Sequence, residues 1–173
     1  MRLPALAVCS TFFLGLAAHA QSPADFSGTW KMDPSRSESA HQAVPIGPVM
    51  LIVKQTGGAL TMETRTGETT KAAIANETLT FPLDGSENTL TSASGVPIKA
   101  KAHWDGPKLV TETARNVRDS TITTVYVLSL DPSGRELTID KTLTVQHGYQ
   151  FQGANNTGTS KDVFVKKREP GKR

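Results

Sequence analysis

The sequence predicts an all-β fold, a single antiparallel up-and-down barrel of about nine to ten strands that follows a cleaved N-terminal segment. Three observations support this. Apolar residues recur with a period of two along most of the chain after residue 20, as in strands that turn one face to a core. Residues that favour turns interrupt these runs at the spacing of β-hairpins. Helical periodicity is nearly absent.

Residues 1–20 have the composition of a signal peptide. Arg2 supplies a positive charge, residues 3–18 are almost uninterruptedly apolar, and residues 18–20 (Ala-His-Ala) are suited to cleavage before Gln21. A transmembrane helix needs about 20 apolar residues, which is more than this stretch offers. We therefore expect export to the periplasm or the medium, with no transmembrane segment in the mature protein.

Removal of residues 1–20 leaves residues 21–173 as one β-barrel domain with a short basic C-terminal tail. Cys9 is the one cysteine and leaves with the signal peptide, so the mature chain can form no disulfide and no thiolate site. Without Arg2, 18 basic residues face 16 acidic ones. This near balance and the absence of recognisable motifs predict no nucleic-acid partner.

The strands follow one another in order. Residues 49–53 are apolar on both faces, which predicts the most enclosed strand. Two later runs, residues 98–104 and 122–130, alternate. Their apolar or inward-facing members are Ile98, Ala100, Ala102 and Trp104, and then Ile122, Thr124, Tyr126, Leu128 and Leu130. Lys99, Lys101 and His103 lie on the opposite face.

Turn residues separate these strands. They are Gly57-Gly58, Asp84-Gly85, Asp105-Gly106 and Asp131-Pro132-Ser133-Gly134. Glycine and aspartate tolerate the backbone angles of tight turns, so most strands should pair with their sequence neighbours. Two segments lack alternation, a Ser- and Pro-rich stretch at residues 35–48 and a Gly- and Asn-rich stretch at 146–160. We expect both to be loops.

Gly28-Thr29-Trp30 resembles the opening strand of lipocalin-like (calycin) barrels, which carry a Gly-x-Trp signature. The longer run 26–37, with residues 104–110, 128–134 and 162–165, is similar to a group of small, uncharacterised secreted bacterial proteins. The resemblance implies a lipocalin-like barrel in which a basic residue near the last strand packs over the early tryptophan. Arg168 or Lys166 would take that place over Trp30.

No catalytic, metal or cofactor site is predicted. His41, His103 and His147 are isolated, with no other ligand at metal-binding spacing. The chain has no Gly-x-Ser-x-Gly motif and no phosphate-binding loop. The many Ser and Thr residues are explained by strands and turns.

Lys141 is the most informative charged residue. It is in phase with Leu137, Ile139, Leu143 and Val145, so strict alternation would direct its ammonium group inward. An isolated charge in a core is very unfavourable. A β-bulge at Asp140 or a position at the barrel mouth would remove the conflict. The alternative is that Lys141 anchors a ligand carboxylate.

Two aromatic residues in the second loop are further candidates for ligand binding. Tyr149 and Phe151 are two residues apart, so their rings would face the same way in an extended segment. They could form a lid at the mouth opposite Trp30, or begin another strand with both rings in the core.

Small residues at inward positions, such as Ala100, Ala102, Thr111 and Thr113, indicate either a flattened barrel or a cavity. Together with these small residues, the resemblance to lipocalin-like (calycin) barrels implies a non-enzymatic protein that binds a small apolar or amphipathic ligand. We expect this protein to be exported and monomeric. The first alternative is a protein-binding module, such as a secreted inhibitor or an envelope-assembly factor. The second is an enzyme with a site at the barrel mouth.

Overall fold

A computed structural model describes residues 23–43, 49–66, 77–92, 94–148 and 156–168. The described part of the chain forms ten β-strands and two short 3-10 helices, η1 (Pro34–Arg36) and η2 (Glu38–His41). The strands are β1 (Gly28–Met32), β2 (Val49–Gln55), β3 (Ala59–Thr66), β4 (Glu77–Pro82), β5 (Glu87–Thr91), β6 (Pro97–Asp105), β7 (Lys108–Val117), β8 (Ser120–Leu130), β9 (Glu136–His147) and β10 (Asn156–Lys166).

All ten strands belong to one antiparallel sheet with the order β4-β3-β2-β1-β10-β9-β8-β7-β6-β5. Pairing of β1 with β10 brings the two ends of the chain together, with Trp30 opposite Lys166. Every other ladder joins strands that are neighbours in sequence. The prediction of an all-β up-and-down barrel of nine to ten strands is confirmed.

The barrel is nearly closed, and the seam lies between β4 and β5, the two edge strands. Side chains bridge this seam in place of a backbone ladder. The Asn88 side-chain amide donates to the Thr80 carbonyl at 3.0 Å. Further along, the Arg115 guanidinium on β7 lies 3.4 Å from the Glu77 carboxylate on β4.

One end of the barrel, here called the base, carries the tight turns. The turns β2–β3, β4–β5, β6–β7 and β8–β9 all lie at this end because the strands alternate in direction. Gly85, Gly106 and Gly134 have positive φ there, as tight hairpins require. At the opposite end, here called the mouth, the odd-numbered strands end and the even-numbered strands begin, and the 3-10 helices follow β1 there.

Large side chains fill the base half of the barrel. Those with less than 2 % exposure include Phe26, Trp30, Leu60, Phe81, Leu109, Leu128 and Leu137. The Trp30 indole donates to the Phe26 carbonyl at 3.0 Å, and the Phe26 ring stacks on Trp104 with 6.1 Å between centroids. This end of the barrel is therefore a packed core.

Lys166 is the cation beside Trp30, with its ammonium nitrogen 5.0 Å from the ring centroid. Arg168, the other residue expected there, is exposed two residues further along the chain. Gly28 makes room for the lysine, since a Cβ at residue 28 would lie 2.6 Å from Lys166 Cε. Gly28 also has φ of +148°, which side-chain-bearing residues rarely adopt.

Two local expectations were wrong, and so was one of the two alternatives given for Lys141, the bulge. Residues 49–53 are not enclosed on both faces, because Met50 and Ile52 lie on the partly exposed outer side. No bulge occurs at Asp140, since the β9 register with β8 and β10 is continuous through it. Part of the stretch 146–160 is strand, because β10 begins at Asn156, opposite Val145 on β9. Pairing with β9 provides hydrogen-bond partners for the backbone N–H and C=O groups of residues 156–160.

Candidate functional site

The mouth half of the barrel contains a cavity of about 350 Å³. Its apolar lining residues are Met32, Val49, Leu51, Met62, Leu79, Ile139, Leu143 and Phe164. Its polar lining residues are Ser39, Thr64, Glu77, Thr124, Tyr126, Arg115, Lys141 and Asp162. The barrel is therefore not fully flattened, but the small inward residues Ala100, Ala102 and Thr111 are buried and are not among the lining residues of the cavity.

The inward-facing residues become more polar from the base towards the mouth. This change occurs on several strands, with Phe81, Leu79 and Glu77 on β4, Leu137, Ile139 and Lys141 on β9, and Phe164, Asp162 and Ser160 on β10. Alternation keeps all of these side chains on the inner face. The cavity is consequently amphipathic along the barrel axis, with its apolar floor against the packed core.

Lys141 lines this cavity. In the continuous ladders, its Cα lies opposite Tyr126 on β8 and Ser160 on β10. The residue is half-buried, and no hydrogen bond or ion pair of its side chain occurs within the described ranges. The predicted inward direction of Lys141 is therefore present without a bulge, because the position opens into the cavity and not into packed core.

Tyr126 also lines the cavity and lies directly across the β8–β9 ladder from Lys141. Residues opposite one another in an antiparallel pair have Cβ atoms about 4.5–5.5 Å apart. Burial raises the pKa of the Tyr126 hydroxyl, and the Glu77 carboxylate raises it further. The phenol therefore stays protonated at neutral pH and can donate a hydrogen bond beside the Lys141 ammonium.

The other cation of the cavity is already compensated. Arg115 lies 3.4 Å from Glu77, and both side chains are partly exposed at the seam. Lys141 thus differs from Arg115 in having no carboxylate partner among the residues that the structure describes.

Asp162 connects the cavity wall to the 3-10 helices. It is 8 % exposed and accepts hydrogen bonds from the Ser39 backbone amide at 3.0 Å and the Ser39 hydroxyl at 2.6 Å. The Ser37 hydroxyl donates to the Val163 carbonyl and accepts from the Val163 amide. These bonds hold η2 against β10 where β1 no longer pairs with it, and so close one side of the cavity.

The predicted site residues lie in different places. Lys141 lines the cavity, whereas Gly28, Trp30 and Arg168 lie at the base. Tyr149 and Phe151 lie outside the described residues. Sequence reasoning did not select Arg115, Tyr126 or Asp162 as site residues. Their signal was a polar side chain in phase with the inward-facing residues of its strand.

His147 contacts polar side chains of the neighbouring strands β8 and β10. His147 lies 3.3 Å from the Ser120 hydroxyl and 3.4 Å from the Asn156 amide, both by its ring nitrogens. Across the described ranges, no group of three or more His, Cys, Asp or Glu residues could hold a metal ion. No helix in that same part of the chain is both long and apolar enough to span a membrane.

The topology and the half-filled interior define a lipocalin-like (calycin) barrel. A secretory abundant heat soluble protein from Ramazzottius varieornatus is similar, with a TM-score of 0.54 and 19% identity over 82% of this chain and 94% of that chain. Secretory abundant heat soluble protein 4 from that organism also has a TM-score of 0.54, with 17% identity over 86% and 100% of the two chains.

Apo lipid binding protein 8 from Caenorhabditis elegans matches with a TM-score of 0.51 and 14% identity, over 82% of this chain and 95% of that one. No family model and no curated protein matches the sequence. At these identities the likeness establishes the fold, and the resemblance to secreted bacterial proteins stays a prediction.

Proposed function

We propose that this protein is a non-enzymatic carrier or receptor of a small amphipathic ligand, which it binds in the cavity at the mouth half of the barrel. The apolar part of the ligand lies against Met62, Leu79 and Ile139, and its anionic head group contacts Lys141 and Tyr126. The observation that supports this most is the ammonium of Lys141, which lines an amphipathic cavity and forms no ion pair with any residue that the structure describes.

The size of the cavity suits such a ligand. Small-molecule sites have volumes of about 300–1,000 Å³ and few, well-placed polar groups, and this cavity holds about 350 Å³. Each methylene group that leaves water contributes about 0.8 kcal/mol. A short alkyl chain therefore supplies most of the binding free energy, and the head group sets its direction in the barrel.

The calycin fold supports this proposal. One protein of similar fold is named as a lipid binding protein, although its 14% identity leaves the ligand of this chain to be inferred from the cavity itself. We further propose, on the basis of residues 1–20, that the protein acts in the periplasm or outside the cell. We also propose that it acts as a monomer.

Decanoate and decanol make a matched pair of probes, because they share a chain length and differ in head-group charge. Lys141→Met removes the ammonium group and keeps an unbranched side chain. We expect it to weaken decanoate binding by about tenfold, the effect of losing one charge-assisted hydrogen bond. Decanol binding should stay within about twofold, because the apolar contacts remain. Isothermal titration calorimetry measures both affinities.

Lys161→Met is the control, since Lys161 is exposed on the outer face of β10 beside Asp140. It should change neither affinity. Equal decanoate affinity in Lys141→Met and the wild type would contradict the head-group assignment. Failure of both probes to bind the wild type would contradict the proposed function. Native mass spectrometry of the protein from its own compartment reports any co-purified ligand and the stoichiometry of the chain.

A further inference from the structure

A second concave site lies at the base of the barrel, on the outer surface and remote from the cavity. It has a volume of about 590 Å³ and is lined by Ser27, Gly28, Thr29, Arg135, Val165, Lys166, Lys167 and Arg168. Half of these residues are cationic, and none of the lining residues is acidic. We call this site the basal cleft.

Tertiary structure assembles the basal cleft from three parts of the chain. Residues 166–168 are consecutive in sequence, but Arg135 comes from the β8–β9 turn. The Lys166 amide donates to the Arg135 carbonyl at 2.9 Å, which holds Arg135 beside the end of β10. The Lys167 amide donates to the Thr29 carbonyl at 2.8 Å and so fixes Lys167 against β1.

The cations of the basal cleft differ from many others on the surface. Several lysines and arginines elsewhere form ion pairs with carboxylates, namely Arg36, Arg65, Lys99 and Lys101. Arg135, Lys167 and Arg168 are exposed, and their side chains make no ion pair with any residue that the structure describes. Adjacent like charges repel, so an anion in the cleft would relieve an unfavourable interaction.

The acidic group beside the cleft does not compensate all four charges. The Asp25 carboxylate accepts from the Ser27 amide at 2.9 Å. Hydrogen bonds from Ser27 lower the pKa of Asp25, and the charge of Lys166 lowers it further. Lys166 itself lies over Trp30. Asp25 is thus next to Lys166, and the guanidinium groups of Arg135 and Arg168 and the ammonium of Lys167 stay available.

We propose that the basal cleft binds an oxyanion of the phosphate class, either inorganic phosphate or the phosphate of an anionic phospholipid head group. Guanidinium groups bind phosphate through two parallel hydrogen bonds, and an ammonium group adds a compact positive charge. Exposed Val165, at 43% relative accessibility, lies among the cations and offers an apolar contact to a lipid. This site is independent of the ligand cavity.

The test uses two variants with equal loss of charge. The cleft variant, Arg135→Gln with Lys167→Gln, removes one arginine and one lysine from the basal cleft. The control, here called the mouth variant, is Arg118→Gln with Lys161→Gln. It removes the same pair of residue types from the β7–β8 turn at the mouth and from the middle of the outer face of β10. Thermal unfolding confirms that both variants are folded. All positions are exposed, so stability should change little.

Inorganic phosphate is titrated at constant ionic strength, with backbone amide shifts as the readout. We expect saturable shifts at residues 27–29, 135 and 165–168, and affinity about tenfold lower in the cleft variant. The mouth variant should stay within about twofold of the wild type. Equal weakening in both variants, or no saturable shift together with no vesicle binding, would overturn the proposal.

Co-sedimentation with vesicles distinguishes the two sources of phosphate. Vesicles of phosphatidylcholine with phosphatidylglycerol are compared with vesicles of phosphatidylcholine alone. Retention on the anionic vesicles that the cleft variant loses and the mouth variant keeps identifies a lipid head group. Phosphate binding without vesicle retention identifies the free anion. Vesicle retention that both variants lose equally reflects net charge and contradicts a specific site.

Discussion

Lys166 packs its side chain across Gly28 and places its ammonium nitrogen 5.0 Å from the centre of the fully buried Trp30 ring. The two residues are register partners in the β1–β10 ladder. This pairing closes the sheet between the first and last strands. The Lys166–Trp30 contact therefore lies at the ladder that closes the barrel. Mutation of either residue should weaken the contact and lower the stability of the barrel.

Trp30→Ala should lower the free energy of unfolding by about 3–5 kcal/mol, because it removes a packed aromatic side chain and leaves a cavity. Lys166→Met should lower it by about 0.5–1 kcal/mol through loss of the cation–π contact. Lys54→Met is the control, as Lys54 is exposed on β2. Urea denaturation followed by fluorescence measures all three. Wild-type stability in Trp30→Ala would exclude the tryptophan from the packed core.

The seam between β4 and β5 depends on the amide of Asn88, which donates to the Thr80 carbonyl at 3.0 Å. Asn88→Ala should lower stability by about 1 kcal/mol, the net contribution of one hydrogen bond. It should also speed hydrogen exchange of β4 and β5 amides more than those of β8 and β9, because edge strands open locally. Thr89→Ala, on the exposed face of β5, is the control. Uniform acceleration across the barrel would contradict a seam held by Asn88.

Asp131 organises the β8–β9 turn and should produce a pH dependence at acid pH. Its carboxylate accepts hydrogen bonds from the Ser133 hydroxyl and from the Arg135 and Glu136 amides, which lower its pKa from 3.8 to about 2. Because the folded pKa is depressed, this stabilisation is complete above the unfolded value near 3.8. It is lost as the pH falls through about 2.

Asp131→Asn should therefore be less stable than the wild type at neutral pH, and the difference should shrink as the pH falls from about 4 towards 2. Asp105→Asn, at the end of β6 next to the β6–β7 turn, is the control. Its carboxylate accepts no hydrogen bond within the ranges that the structure covers. Denaturation over this pH range measures both variants. A difference that does not vary with pH would show that Asp131 acts through the shape of the turn and not through its charge.

The fold was predictable because its signals are local. Alternation assigned the inner face of residues 98–104 and 122–130, and the glycine and aspartate turns indicated that most strands pair with their sequence neighbours. Both follow from the two-residue period of a strand and from the backbone angles of tight turns, which neighbouring residues determine. Lys141 was assigned an inward direction for the same reason.

Features that depend on distant residues were not predictable in this way. Residues 156–160 are rich in polar and small side chains, and they form strand because β9 supplies hydrogen-bonding partners along their length. Whether Lys141 faces packed core or a cavity depends on how far inward-facing side chains fill the barrel at its level. Most of those side chains come from other strands, so the sequence around Lys141 does not determine its environment.

The sequence by itself determined most strand faces and the hairpin order, because both depend on contacts within a strand or between strands adjacent in sequence. Only the tertiary structure decided the open seam, the cavity around Lys141 and the addition of Arg135 to residues 166–168. These depend on sheet closure, which brings together residues far apart in the chain. The two-residue period of a strand specifies the face of the sheet on which a side chain lies. Closure of the sheet into a barrel specifies which side chains of distant strands lie across from it.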